Sequence, residues 1–411
     1  MRVGIFASTS DAELGGGFTI ERDIVDALAQ EASGTRHDLF LFSLLRTEGD
    51  ASGLPVYRIE EPKPRGGVSR AALAWTRFRS MLSSDVEFSP GWTREPGWLS
   101  DGVDRSGAEL VICLTPGFFP TSKAPYFTIV WDLQHRLQPW FPEVSAGKEW
   151  AIRDRGYERV LGQASRVIVG TSVGLREASA FYRVPEQNIR ILPHPTPAFA
   201  LEAGRSAGAA ASEDRAGRRP YLFYPAQFWP HKDHVTALQA LRALKDRGLD
   251  LGLVFCGSDQ GNRSWVEAEC SRLGLAGDVE FEGFVSRERL VALYRGAFAL
   301  VYPSWFGPEN LPPLEAFALG CPVVAAQVAG SEEQFGDAAL LFETGDEVSL
   351  ASAIESLWSE PDLRRRLVHA GYDRALRFTP KHYAQGLLEI IDEFEPARTC
   401  WARGAPEDGQ T

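Results

Sequence analysis

Short, almost uniformly apolar runs recur through the first half of the chain, at residues 3–7, 37–43, 110–114, 126–131 and 166–169. Between them lie stretches such as 18–32 and 149–164, where apolar positions return at helical spacing and charged residues fill the other face. Short apolar runs alternating with amphipathic helices predict βαβ units around a parallel sheet, because a strand covered by helices on both faces has no polar side to show. The pattern restarts at 221–226 and continues through 251–257, 279–283, 299–303, 322–326 and 339–342.

Between the two sets, residues 201–219 are rich in Ala, Gly, Ser and charge without apolar periodicity, which predicts a linker. The expected organisation is an N-terminal α/β domain over 1–200, the linker at 201–219 and a second α/β domain over 220–379. A closing helix over 380–396 and a frayed tail over 397–411 complete it. Residues 311–330 are apolar enough to raise the question of a membrane span, but Glu315, Gln327 and three prolines make a buried helix and strand the better reading.

At 411 residues the chain is long enough for two such domains, and two domains imply a cleft. The hydrophobic share of 44% and charged share of 24% are those of a globular protein and argue against disorder. A net charge of −12 argues against general affinity for nucleic acid. One stretch departs from the acidic average. Between residues 57 and 82, Arg58, Lys63, Arg65, Arg70, Arg77 and Arg79 alternate with Trp75, Phe78 and other apolar residues. It reads either as a solvated helix with flanking loops or as a peripheral contact to an anionic membrane surface. Met1 leads directly into the first apolar run without the pattern of a secretory signal, so the expectation is a cytoplasmic protein, with contact at the inner face of the membrane through 57–82 left open. Cys113, Cys256, Cys270, Cys321 and Cys400 form no CxxC pair, which argues against a disulfide framework or structural zinc. Cys113 and Cys256 lie in strand-like runs and are assigned to packing.

In open parallel sheets, ligands sit beyond the carboxyl ends of the strands, so the chemistry is sought in the loops that follow them. Gly15-Gly16-Gly17 stand before the first helix, where Gly16 and Gly17 would let the backbone approach a ligand; the GxGxxG spacing of a dinucleotide site is absent, since Ile20 holds the last Gly position. Asp132 and His135 follow the apolar run 126–131, and such groups at a strand end can orient hydroxyls; a polar loop without a ligand is the alternative. Lys232 precedes a helix at the end of the second domain's first strand, where it could meet a phosphate that the helix dipole also attracts. Glu315 interrupts an apolar helical pattern, a costly place for a carboxylate unless something such as a pair of ribose hydroxyls, a backbone cap or an internal cation satisfies it. The turn ahead of it, with Gly307, Pro308 and Asn310, would aim backbone N–H groups outward.

The run Leu311-Pro312-Pro313-Leu314-Glu315-Ala316-Phe317-Ala318-Leu319-Gly320-Cys321-Pro322-Val323-Val324 closely resembles the donor motif of retaining GT-B glycosyltransferases of family four, and the likeness is strongest from about Tyr221 to Arg377. The resemblance implies two Rossmann-like domains facing across a cleft, with the C-terminal helix returning to the N-terminal domain. It implies that Glu315 binds the donor ribose, Lys232 and Gln227 the phosphates, and Phe284 and Val285 the base through their backbone. Gln227 stands where the family has arginine, leaving His231, Arg263 or the Gly loop to supply the missing contact. The family's first glutamate, which contacts the sugar, would fall at Gly307. The Phe-Gly-Pro-x-Asn-Leu-Pro-Pro-Leu-Glu loop looks like a variant branch in which Glu309, Asn310 and Leu311 line the sugar and phosphate pocket. Trp131 replaces a histidine common in the family, which shifts any such role to His135.

The implied activity is transfer of a sugar, with retention, from a nucleoside diphosphate sugar to a hydroxyl acceptor, lipid-linked or oligosaccharide, in glycan or surface polysaccharide biosynthesis. Asp132, His135, Lys232 and Glu309 are the expected catalytic residues. No cofactor is expected, and the lack of an Asp-x-Asp pair fits chemistry without a metal. A sugar-nucleotide epimerase or hydrolase and a non-catalytic sugar-nucleotide binding protein are the competing readings.

Overall fold

A computed structural model of the chain describes residues 1–7, 16–43, 53–60, 97–114, 123–206 and 219–400. Two parallel sheets carry the architecture. The first contains β1 (Arg2–Phe6), β2 (Asp38–Ser43), β3 (Val56–Arg58), β4 (Leu110–Cys113), β5 (Tyr126–Val130), β6 (Arg166–Val169) and β7 (Ile189–Ile191), in the order β3-β2-β1-β4-β5-β6-β7. The second contains β8 (Tyr221–Pro225), β9 (Gly252–Cys256), β10 (Val279–Phe281), β11 (Ala299–Tyr302), β12 (Val323–Ala326) and β13 (Ala339–Phe342), in the order β10-β9-β8-β11-β12-β13. Every residue of β4, β5, β9, β11 and β12 is buried, which explains why these strands read as continuous apolar runs. In each sheet the strand order reverses beside the first strand, between β1 and β4 and between β8 and β11, and the doubly wound arrangement opens a crevice there.

The two domains and the strands expected from sequence are present. Two strands were not expected, β3 and β7, which stand at the two edges of the first sheet. The region read as a linker begins differently. Ala198–Ser206 is a helix with Ala200 and Leu201 buried. It packs on the helix Leu311–Ala318 through Gly204, where a Cβ would stand 2.2 Å from the Ala318 carbonyl oxygen. Close contact at a glycine leaves no apolar stripe for sequence to report. Residues 207–218 lie outside the described residues.

The chain crosses between domains twice, and the crossings are bonded together: Thr196 N–H donates to Phe378 O (2.6 Å) and its hydroxyl to Ala375 O (3.1 Å). After the second crossing, Thr379 caps the helix Pro380–Thr399 by accepting the His382 N–H. That helix lies on the N-terminal domain and against Gly16–Glu31, with Phe394 edge-on to Phe127 and Asp392 and Glu395 facing His37 and the amino terminus. It extends past the expected end at 396, and Arg398, read as part of a frayed tail, is buried and donates to Glu109 O (3.1 Å). Among the described residues no helix is long and apolar enough to cross a membrane; residues 311–330 form the helix Leu311–Ala318 and β12, as expected. Of the basic aromatic stretch 57–82, only 57–60 fall among the described residues.

Candidate functional site

A cleft of about 780 Å³ runs between the domains, at the carboxyl ends of β5, β8 and β11. Asp132, Lys232, Gln227, Phe284, Val285, Glu309, Asn310, Leu311 and Glu315 all line it. Gly16 and Gly17 begin the helix Gly16–Glu31, whose Thr19 and Ile20 line the cleft one turn later; Gly15 lies outside the described residues.

The wall from the second domain is built around Lys232. Asp233, in the left-handed region at φ 49°, caps the helix His234–Asp246 through Thr236 N–H and also accepts the Trp305 indole N–H (2.9 Å). That turn holds Lys232 so that Nζ donates to Tyr302 Oη (2.9 Å) and Ser304 Oγ (3.4 Å) and lies 5.3 Å from the Tyr302 ring centre. Tyr302 Oη in turn donates to Asn310 Oδ1 (2.8 Å), and Asn310 Nδ2 donates to Phe306 O (3.0 Å). The ammonium thus has neutral partners, and no ion pair of Lys232 with a carboxylate is formed among the described residues. A cation so placed favours an incoming anion. Prolines at 312 and 313 carry no N–H, and the Asn310 N–H is taken by Gln334 Oε1, so the helix Leu311–Ala318 offers fewer open donors at its start than the sequence suggested. The Gln227 amide is engaged by Ser258 Oγ (3.0 Å) and by Trp229 Nε1–H (3.0 Å).

Glu315 sits at the other end of this wall. Burial pushes its carboxyl up to about 7, against the hydrogen bond from Tyr294 Oη (2.6 Å) and the positive charge of Arg287. Phe284, 62% exposed, and Val285 form the rim beside it, and Ser286 caps the helix Arg287–Gly296 by accepting the Arg289 N–H. Arg287 lines the cleft 4.9 Å from the Phe199 ring centre. Arg263, offered from sequence as a phosphate contact, pairs with Glu267 and does not line the cleft.

Two expected catalytic residues stand elsewhere. His135 is fully buried and outside the cleft: its Nε2 meets Tyr182 Oη (2.8 Å), its ring stacks on Tyr157, and burial pushes its imidazole down to about 4. The cause is local. Asp132 accepts the Gln134 N–H (3.0 Å) and starts the short helix Gln134–Leu137, which turns His135 inward while Asp132 stays at the cleft. Glu309 lines the cleft, yet its carboxylate is seated in the opposite domain. Oε1 accepts the His194 N–H (2.7 Å), and a Cβ on Gly170 would fall 1.3 Å from Oε2, so only glycine leaves room. Burial raises its pKa, opposed by His194.

Sequence reasoning missed Glu143, Glu149, Arg153 and Arg287, all of which line the cleft. Glu143 bonds to His231, Gln134 Nε2 donates to Gly307 O (2.8 Å) and Gln138 Nε2 to Trp305 O (2.7 Å), so residues 134–143 of the first domain close over the 305–307 turn of the second. Glu143 lies in a polar segment without periodicity, and Glu149 and Arg153 stand among the charged residues of the amphipathic stretch 149–164, where nothing marks them off from a solvated helix face. Only Arg287 carried a signal, as the first residue after a helix-capping Ser286.

Residues 209–374 match the family of glycosyl transferases group 1. The chain is 27% identical over 259 residues to a D-inositol 3-phosphate glycosyltransferase of Nocardia farcinica, covering 60% of this chain and 57% of that protein. It is 28% identical over 393 residues to the protein of the same name from Streptomyces bingchenggensis, covering 82% and 86%. Against the first of these relatives, then, the chain spans under two thirds of the relative's length. Among solved structures, HepE of Anabaena in complex with UDP and glucose superposes with TM-score 0.64 at 16% identity, covering 96% of this chain and all of that one. Sucrose-phosphate synthase of Thermosynechococcus elongatus gives TM-score 0.66 at 20% identity, covering 96% and 99%. These likenesses establish the shared two-domain GT-B fold.

Proposed function

We propose that this protein, whose residues 209–374 match the family of glycosyl transferases group 1, moves a sugar from a nucleoside diphosphate sugar to a hydroxyl acceptor, with the anomeric configuration retained. The observation that carries the reading is the setting of Lys232: a cation held by neutral hydroxyls at the carboxyl end of β8, in a cleft of about 780 Å³ at the sheet's switch point. Lys232 takes the diphosphate and offsets the charge that grows on it as the sugar departs. Glu315, deep in the same wall, takes the ribose hydroxyls, and the backbone at Phe284 and Val285 meets the base. Arg287, beside Glu315, supplies a second positive charge at the cleft in place of the arginine missing at 227.

Asp132, on the opposite wall, orients the sugar or acceptor hydroxyls. His135, closed off behind it, has no direct part. Glu309 acts by holding the domains together at His194 and Gly170, so the assembled cleft excludes water and donor hydrolysis stays slow. The names borne by the relatives support a hydroxyl-bearing acceptor, and HepE solved with UDP and glucose makes a uridine diphosphate sugar the first donor to try. The protein works without a metal, in glycan or surface polysaccharide assembly at the cytoplasmic side of the membrane.

Release of nucleoside diphosphate from UDP-glucose, UDP-galactose, UDP-N-acetylglucosamine, GDP-mannose and dTDP-glucose, with and without polyol and sugar acceptors, tests the reading. Release that needs an acceptor, with the sugar recovered on it, is expected. Release at the same rate without one would make the protein a hydrolase, and nucleotide binding without turnover would make it a binding protein.

A further inference from the structure

Glu143 belongs to the first domain, in the helical turn Pro142–Ser145, yet its bonds go to the second. Its Oε1 accepts the backbone N–H of His231 (2.9 Å) and the His231 Nδ1–H (2.5 Å). Its Oε2 meets no donor and is itself closed to solvent in the empty cleft, which other atoms of Glu143 line; the side chain as a whole is 7% exposed. Burial alone would raise this carboxyl; the hydrogen bonds from His231 and from the backbone of Glu143 itself outweigh it and hold the pKa below the ordinary value, while burial pushes His231 down to about 4. The pair is therefore a neutral imidazole donating to an ionised carboxylate. A buried carboxylate oxygen without a donor is costly, and a ligand hydroxyl would relieve that cost.

The neighbours locate that ligand. His231 stacks on Phe306 at 3.9 Å between ring centres and precedes Lys232; Phe141 stands edge-on to Trp305 and Phe306. With Gln134 and Gln138 bonded to Gly307 and Trp305, Glu143 is held between the phosphate lysine and the 305–307 turn. Gly307 itself has no room for a side chain, since a Cβ there would lie 2.7 Å from Ala329 O and 2.9 Å from the Val328 side chain.

We propose that Glu143 binds a hydroxyl of the transferred sugar through Oε2, so that the first domain supplies the sugar-recognising carboxylate that position 307 cannot carry. This rests on the reading of the cleft as a sugar-nucleotide site. It makes sugar selection conditional on domain apposition, because the residue that holds the nucleotide's phosphates and the residue that reads the sugar stand on opposite walls.

Glu143→Gln is the decisive variant. It keeps an oxygen for the two His231 donors and replaces only Oε2 by an amide that cannot accept. Calorimetry on the full chain would compare the sugar nucleotide that the wild type consumes, drawn from the five named above, with the matching nucleoside diphosphate. The expected result is an unchanged affinity for the diphosphate, an affinity for the sugar nucleotide lowered about 10- to 100-fold, and a comparable fall in kcat/KM, as loss of one charge-assisted hydrogen bond gives. Equal losses for diphosphate and sugar nucleotide would assign Glu143 to holding His231 alone and overturn the proposal. Unchanged donor affinity with a raised acceptor KM would move Oε2 to the acceptor and overturn it as well. A wild type that binds none of the nucleotides would remove the functional reading and this inference together, whereas a fully active Glu143→Gln would remove only the latter.

Discussion

Lys232→Ala is expected to lower turnover about 10²-fold or more while leaving the fold intact. The side chain contributes little to packing: its nitrogen bonds to two hydroxyls, Tyr302 and Ser304, which can turn to water or to Asn310 when it is gone. On the proposed reading the variant loses the positive charge at the place where the leaving diphosphate becomes more negative, and removal of one such group commonly costs about 10²- to 10³-fold. The loss should fall on kcat as well as on KM, because the charge on the diphosphate grows between ground state and transition state. Steady-state kinetics with the consumed donor check this. Near-normal kcat would remove Lys232 from the phosphate site.

Glu315→Gln should weaken nucleoside diphosphate binding about 10-fold or more and leave only the pH dependence that the nucleotide's own terminal phosphate gives in the neutral range. On the proposed reading the ribose hydroxyls donate to Glu315 and favour its carboxylate form, whereas in the empty cleft burial has raised its pKa to about 7. Wild-type affinity should therefore fall more steeply than the glutamine variant's as pH drops from 8 to 6, the variant keeping only the slope set by protonation of the nucleotide's terminal phosphate. Stability moves the other way. A carboxyl whose native pKa lies above its ordinary 4.5 holds a proton that the unfolded chain has released, so the free protein loses stability as pH rises from about 4.5 through 7. Glu315→Gln removes that penalty: its Tm should exceed the wild type's at pH 8 and approach it near pH 5. Nucleotide affinity unchanged by the substitution would take Glu315 out of the site.

These two positions could be read from sequence because each is a local contradiction. Glu315 breaks an apolar helix, and Lys232 stands just ahead of a helix in the segment that follows the second domain's first strand. Asp132 was legible for a similar reason, as the first charge after five buried strand residues in β5. His135, three residues on, was misread: whether a side chain faces cleft or core depends on the turn that Asp132 caps, and no periodicity reports that. Glu309 was placed at the cleft correctly, but its carboxylate reaches Gly170 and His194, a contact between domains that local pattern cannot encode. Glu143 and His231 are 88 residues apart and meet only because the domains face each other. The fold followed the same division. Long buried strands announced themselves by composition, whereas β3, β7 and the helix Ala198–Ser206 owe their form to neighbours in space.

The central claim is that the cleft binds the diphosphate of a sugar nucleotide without help from a metal. Thermal unfolding of the purified chain with UDP, GDP, dTDP, ADP and CDP, each with and without EDTA, tests it most directly. The expected result is selective stabilisation by one diphosphate that EDTA does not diminish and that Lys232→Ala removes. Stabilisation by none of the five would contradict the account of the cleft, and stabilisation that EDTA abolishes would contradict its independence of metal.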